Sequence, residues 1–180
     1  MPTANARKGS ETERMVAKYL REQGFWMADR RLREGRTDDQ GDIDGVPYTT
    51  IQVKYVAANR MPAWVTDTLK QRENAGTPYC LLVVRTKYRG VEGWDAYLPA
   101  EHLGLVPGGD IQEAWTWIRM DLRMAVVQLK ALIEAATDVR GPWVPSSPTT
   151  SMGGLGKVHV TRASSSVPSM ERATPPSATA

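Results

Sequence analysis

With one cysteine in 180 residues, this chain cannot form an internal disulfide. Cys80 lies inside the apolar run Tyr79–Val84, where a thiol is packing material rather than a nucleophile and fits a reducing compartment. Two histidines, His102 and His159, are too few and too far apart for a zinc centre. No apolar stretch approaches the length that spans a bilayer, and the N-terminus lacks the apolar core of a signal peptide. Neither sign of charge dominates: 23 Lys and Arg stand against 20 Asp and Glu, a net +3. No general basic field therefore marks the chain as a polyanion binder. The expectation is a soluble cytoplasmic protein with no membrane partner.

What is present divides the chain in two. Residues 1–140 carry ordinary globular patterning. From Gly141 the composition shifts to Ser, Thr, Pro and Gly with few large apolar side chains. Such a segment buries too little surface to offset its ordering entropy, so 141–180 reads as a disordered tail. In the first part, Met1–Arg7 reads as a flexible arm, and Ser10 with Glu13 makes a capping box opening a helix to Gln23, stopped by Gly24. A strand follows at Phe25–Asp29, then a polar loop from Arg30 to Gln40. Met61–Asn74 reads as a helix with Pro62 in its first turn and Gly76 beyond its end. Tyr79–Val84 is a strand covered on both faces. Trp94–Leu98 is another strand, Pro99–Leu103 one helical turn, and Leu122–Ala136 a helix. Trp115–Met120 alternates like an edge strand but could equally open the next helix. The order gives an α/β fold, a mixed sheet flanked by helices.

The stretch Gly41–Tyr55, GDIDGVPYTTIQVKY, reads as a hairpin. Asp42 and Asp44 alternate on its first strand, Gln52 and Lys54 on its second, so each pair shares a face. Ile51, Val53 and Tyr55 point the other way. With an odd-length loop such as Pro47–Thr49, Asp42 stands across from Lys54 and Asp44 across from Gln52. A two-residue loop separates acids from amide and ammonium, because a one-residue slip reverses every side chain. Carboxylates beside a lysine suit metal-assisted phosphodiester hydrolysis. A solvated strand face of mixed charge has the same pattern. In the N-terminal helix, Glu13 lies at the edge of the stripe Met15, Val16, Tyr19 and Leu20.

Together these motifs resemble the PD-(D/E)xK nuclease superfamily, within it the archaeal-type Holliday junction resolvases and their phage-encoded relatives. Lys8-Gly9-Ser10-Glu11-Thr12-Glu13-Arg14 is similar to the K-G-x-x-x-E-R opening of the family's first helix. Gly24-Phe25 matches its G-F, Gly41-Asp42-Ile43 its P-D or G-D core, and Ile51-Gln52-Val53-Lys54 its I-E-V-K strand. The resemblance spans roughly Arg7–Pro99 and implies a restriction-endonuclease-like fold. It implies Glu13, Asp42, Gln52 and Lys54 as the catalytic set. It implies Glu13, Asp42, Gln52 and the Val53 carbonyl as ligands of Mg²⁺, with Mn²⁺ possible, and Asp44 as a candidate further ligand. Two departures stand out: Gly41 replaces the proline, and Gln52 replaces the usual acid, bringing an amide oxygen without charge. Lys8, Arg30, Arg31, Arg33, Arg60, Lys87 and Arg89 are candidate phosphate contacts. The implied protein is a homodimeric endonuclease acting on branched DNA, in the host cytoplasm if phage-encoded. The alternatives are a DNA-binding module of the same fold without chemistry, and a restriction-like or end-processing nuclease.

Overall fold

The segment YCLLVV contains no charged residue, and a strand of that kind needs cover above and below. In the computed structural model it is β4 (Tyr79–Val84), near the middle of the sheet, with apolar layers on both sides. The structure describes residues 4–31, 39–55, 60–105 and 116–144. Within them the order is α1 (Ala4–Glu22), β1 (Asp29–Arg30), β2 (Ile43–Asp44), β3 (Thr49–Lys54), α2 (Met61–Ala75), β4, β5 (Asp95–Pro99), β6 (Trp117–Asp121) and α3 (Leu122–Arg140). The strands form one sheet in the order β1-β2-β3-β4-β5-β6. Only β3 and β4 run parallel, joined by α2 as a crossover; the other neighbours are antiparallel.

Strand alternation divides the core. Ile51, Val53, Leu81, Val83, Ala96 and Leu98 face Val16, Ala17 and Leu20 of α1 and Leu122, Val126 and Leu129 of α3. The intervening residues Cys80, Leu82 and Val84 face Val65 of α2, with Trp117 of β6 closing that side. The mixed sheet flanked by helices is therefore the α/β architecture expected. Among the described residues, no helix is long and apolar enough to cross a membrane.

Local signals place several boundaries. Gly76 takes φ 63° and its amide closes on Arg72 and Glu73, ending α2 as expected. Asp121 accepts from the Met124 amide at 2.7 Å and starts α3, which runs four residues beyond Ala136. Trp117–Asp121 resolves the ambiguous stretch as a strand at the sheet's edge; Trp115 lies outside the described residues.

Two local expectations are overturned. The arm and the Ser10 cap give way to a helix already running at Ala4. Residues 4–9 include good helix formers, and Thr12 Oγ1 donates back to the Lys8 carbonyl at 2.7 Å. Phe25–Asp29 is not a five-residue strand. The Phe25 amide closes on Leu20 and Ala28 on Phe25, which buries Phe25 and curls the chain before the short β1. Residues 145–180, where a disordered tail was expected, and 32–38 of the polar loop lie outside the described residues.

Where α2 ends against the turn after β5, Arg72 and His102 both approach Glu101 at 3.5 Å, and the Tyr79 and His102 rings meet edge to face. Burial, aided by the Arg72 charge, lowers the His102 pKa to about 4. An unfolded histidine gains its proton near pH 6.5, so the unfolded state binds more protons between those values. Stability should fall as pH drops from 6.5 towards 4. His102→Gln should remove about 2–3 kcal/mol of that loss. Denaturant melts of both proteins at pH 7 and pH 4 would show it, since the carboxylate contributions are common to both.

Candidate active site

The hairpin forms with Ile43 opposite Ile51. That register sets Asp42 level with Gln52 and Asp44 level with Thr50, two residues from the pairing expected. The parity is nevertheless the one that keeps the acids on the amide's side. The turn comes early because Gly45 and Tyr48 both take left-handed backbone, at φ 77° and 56°. A Cβ at Gly45 would stand 1.9 Å from the Met27 carbonyl oxygen, so only glycine fits against β1's approach.

Asp42 is held on three sides. Its amide donates to Ile51 at 2.8 Å, its carbonyl accepts from Arg31 at 2.9 Å, and its carboxylate accepts from the Val53 amide at 2.8 Å. The residue is 6% exposed. Backbone amide and carbonyl of one strand residue face the same edge, so the Val53 carbonyl turns towards Asp42 as well. Gly41 enters this corner at φ 103°, and a Cβ there would meet the Ile51 oxygen and Thr50 Cγ2 at 3.0 Å. Proline, locked near −65°, cannot take that backbone, which accounts for glycine in place of the proline in the resembling motif.

Gln52 is used differently from the expected metal ligand. It points under α2 and is 1% exposed. In the amide orientation that satisfies every neighbour, its nitrogen donates to the Trp64 carbonyl at 3.2 Å and Thr68 Oγ1 at 2.6 Å. Its oxygen accepts from Gln71 Nε2 at 2.9 Å and Lys54 Nζ at 2.8 Å. Thr68 in turn donates to the Trp64 carbonyl, and Gln71 Nε2 also donates to the Asp39 carboxylate at 2.8 Å. All the donors and both acceptor sites of Gln52 are thus taken by protein. The Gln52 part of the hairpin's polar face lies beneath α2, whereas Asp44 is exposed.

Lys54 Nζ, a quarter exposed, stands between the Gln52 oxygen and the Asp67 carboxylate at 3.6 Å. Glu13 reaches the sheet from α1, where its carboxylate accepts from Arg30 Nε. Asp44 pairs with Arg31, whose other terminal nitrogen donates to Gln40 at 2.5 Å. Two of the expected phosphate contacts, Arg30 and Arg31, are therefore tied into internal ion pairs. Lys8, Arg60, Lys87 and Arg89 are exposed, and Arg33 lies outside the described residues.

A hard cation prefers oxygen ligands, and Asp42 with the Val53 carbonyl offers them at the corner where β2 leaves β3. Glu13, the further acid the resemblance names, is held by Arg30. Gln52 could contribute only by releasing Lys54 or Gln71. The donor types fit Mg²⁺ through Asp42 and Val53, with Glu13 as the further acid.

Sequence reasoning missed Trp64, Asp67, Thr68 and Gln71. A signal was there: these residues follow helical i, i+3, i+4, i+7 spacing, with Thr68 and Gln71 buried against the sheet and Asp67 exposed at its edge. Asp39, exposed in the polar loop, accepts from the Gln71 amide through its carboxylate.

In comparisons with known proteins, no family model matches this chain, and no curated protein or solved structure matches it significantly.

Proposed function

We propose that this chain is a divalent-metal-dependent endodeoxyribonuclease that cuts branched DNA, of the PD-(D/E)xK kind it resembles, and in particular similar to a Holliday junction resolvase. The observation that carries the reading is the corner itself. Asp42 is fixed on the Val53 backbone, and the next residue along β3 is Lys54, its ammonium held by Gln52.

Asp42, the Val53 carbonyl and Glu13 are the residues that would hold Mg²⁺ or Mn²⁺. The ion would lower the pKa of a bound water and offset charge on the phosphate. Lys54 orients the scissile phosphate and water. Gln52 acts as a positioning residue, fixing the Lys54 ammonium without adding charge. Asp44 holds Arg31, and Arg30 neutralises Glu13. Lys8, Arg60, Lys87 and Arg89 contact phosphates. Two-fold related cuts in a junction call for a homodimer, in the cytoplasm where the DNA lies.

A second reading, a DNA-binding module without chemistry, is favoured by one observation: the closed cage around a neutral Gln52. Cleavage of a labelled four-way junction and a matching linear duplex, in Mg²⁺, Mn²⁺ or EDTA, separates the readings. Paired metal-dependent nicks near the branch point are expected. Equal cutting of both substrates would turn the reading to a restriction-like or end-processing nuclease. Binding without cutting in either metal would leave the non-catalytic module.

A further inference from the structure

Beyond β3 and β4 the chain builds a cleft of about 330 Å³, lined by Tyr55, Arg85, Thr86, Lys87, Tyr88 and Arg89. That volume lies at the small end of ligand sites. It begins beside the corner described above, since the Arg85 amide donates to the Lys54 carbonyl at 2.9 Å.

The loop that carries it is rigidly tied. Trp94 Nε1 donates to the Arg89 carbonyl at 3.2 Å, and the Asp95 amide to Thr86 Oγ1 at 3.1 Å. The Arg85 guanidinium lies over the Tyr55 ring at 5.4 Å and over Trp94 at 5.5 Å, and Lys8 reaches Tyr55 at 5.8 Å. At the loop's tip Tyr88 takes φ 62°, unusual for a bulky side chain, and its ring is wholly exposed. Core packing does not explain that conformation.

Charge distinguishes this loop from the rest of the site. Arg30, Arg31 and Lys54 all have carboxylate partners. Lys8, Arg85, Lys87 and Arg89 form no ion pair among the described residues. The nearest acid on the loop, Glu92, folds back over Gly90. Lys87 and Arg89 bracket Tyr88, so two cations flank one free aromatic face.

Resting on the nuclease reading, we propose that this cleft takes one nucleotide that is unstacked at the branch point of the bound DNA, its base stacked on Tyr88 and its phosphates on Arg85, Lys87 and Arg89. Stacking needs a base with a free face, which a continuous duplex does not offer and a strand exchange point does. The loop then places the branch beside Lys54 and sets where the cut falls.

The test uses the full chain in EDTA with a fluorescein-labelled four-way junction carrying 2-aminopurine at the branch, and a matching duplex. Tyr88→Ala should weaken junction binding roughly 5- to 150-fold and leave duplex binding unchanged. It should also abolish the quenching of 2-aminopurine by stacking. Tyr88→Phe should keep both. Lys87→Ala should weaken both substrates and reduce the salt slope by about one. Wild-type protein that binds neither DNA would defeat the nuclease reading itself. Wild-type binding matched by Tyr88→Ala would overturn the cleft alone. Displacement of the junction by free thymidine monophosphate below millimolar concentration would overturn the strand assignment in favour of a mononucleotide. A change in sedimenting mass on Tyr88→Ala with junction affinity intact would make the ring a subunit contact and overturn the proposal.

Discussion

On the nuclease reading proposed above, Asp42→Asn should slow metal-dependent cleavage of branched DNA by roughly 100-fold or more while leaving the melting temperature nearly unchanged. The asparagine oxygen can still accept the Val53 amide, so the corner keeps its shape and loses only its charge. Asp42→Ala should be equally inactive but also less stable, by about 1–3 kcal/mol, because it leaves the Val53 amide without its acceptor. The pair therefore separates chemistry from folding. Junction binding in EDTA should not weaken in Asp42→Asn, since removing a carboxylate near phosphate relieves repulsion. Single-turnover cleavage in Mg²⁺ alongside thermal melts checks all of this. Cutting by Asp42→Asn at the wild-type rate would place the active site elsewhere.

Gln52→Leu should cost about 3–5 kcal/mol, the largest stability loss expected of any site residue, and lower the melting temperature by roughly 10 °C or more. Leucine fills the space but removes four hydrogen bonds at once, leaving each former partner with one fewer. Gln71 loses one acceptor, the Trp64 carbonyl loses a donor, and Lys54 keeps only Asp67. Each hydrogen bond lost costs about 0.5–1.5 kcal/mol, and partial exposure of Lys54 softens its share. Gln52→Glu should be milder, about 1–2 kcal/mol. It retains the Lys54 and Gln71 donors but turns an oxygen towards the Trp64 carbonyl, and the Thr68 hydroxyl can rotate to answer it. A Gln52→Leu protein as stable as wild type would mean that the network under α2 contributes nothing net.

The same network shows where reading a chain succeeds and where it stops. Gln52 and Lys54 share a face because strand residues two apart always do. The hydrophobic run at Tyr79–Val84 demanded a buried strand. Pro62 and Gly76 bracketed α2, and both flanks of the sheet followed from these elements. The early start of α1 was concealed by Ser10, a residue equally at home at a cap and, with a sound helix around it, inside one.

By itself, then, the sequence determined the central strand, α2, α3 and the α/β class, but not the start of α1 or the turn at Phe25, because periodicity, glycine and proline act within a few residues of themselves. Tertiary structure alone decided the partners. Glu13 found Arg30 seventeen positions away, Asp44 found Arg31 thirteen away, and Gln52 found Thr68 sixteen away. It also set the hairpin register, through a left-handed Tyr48 that no composition signal announces. Such choices depend on which side chains the packed layers bring within hydrogen-bond reach. They are made by distances that exist only after the sheet has closed under its helices.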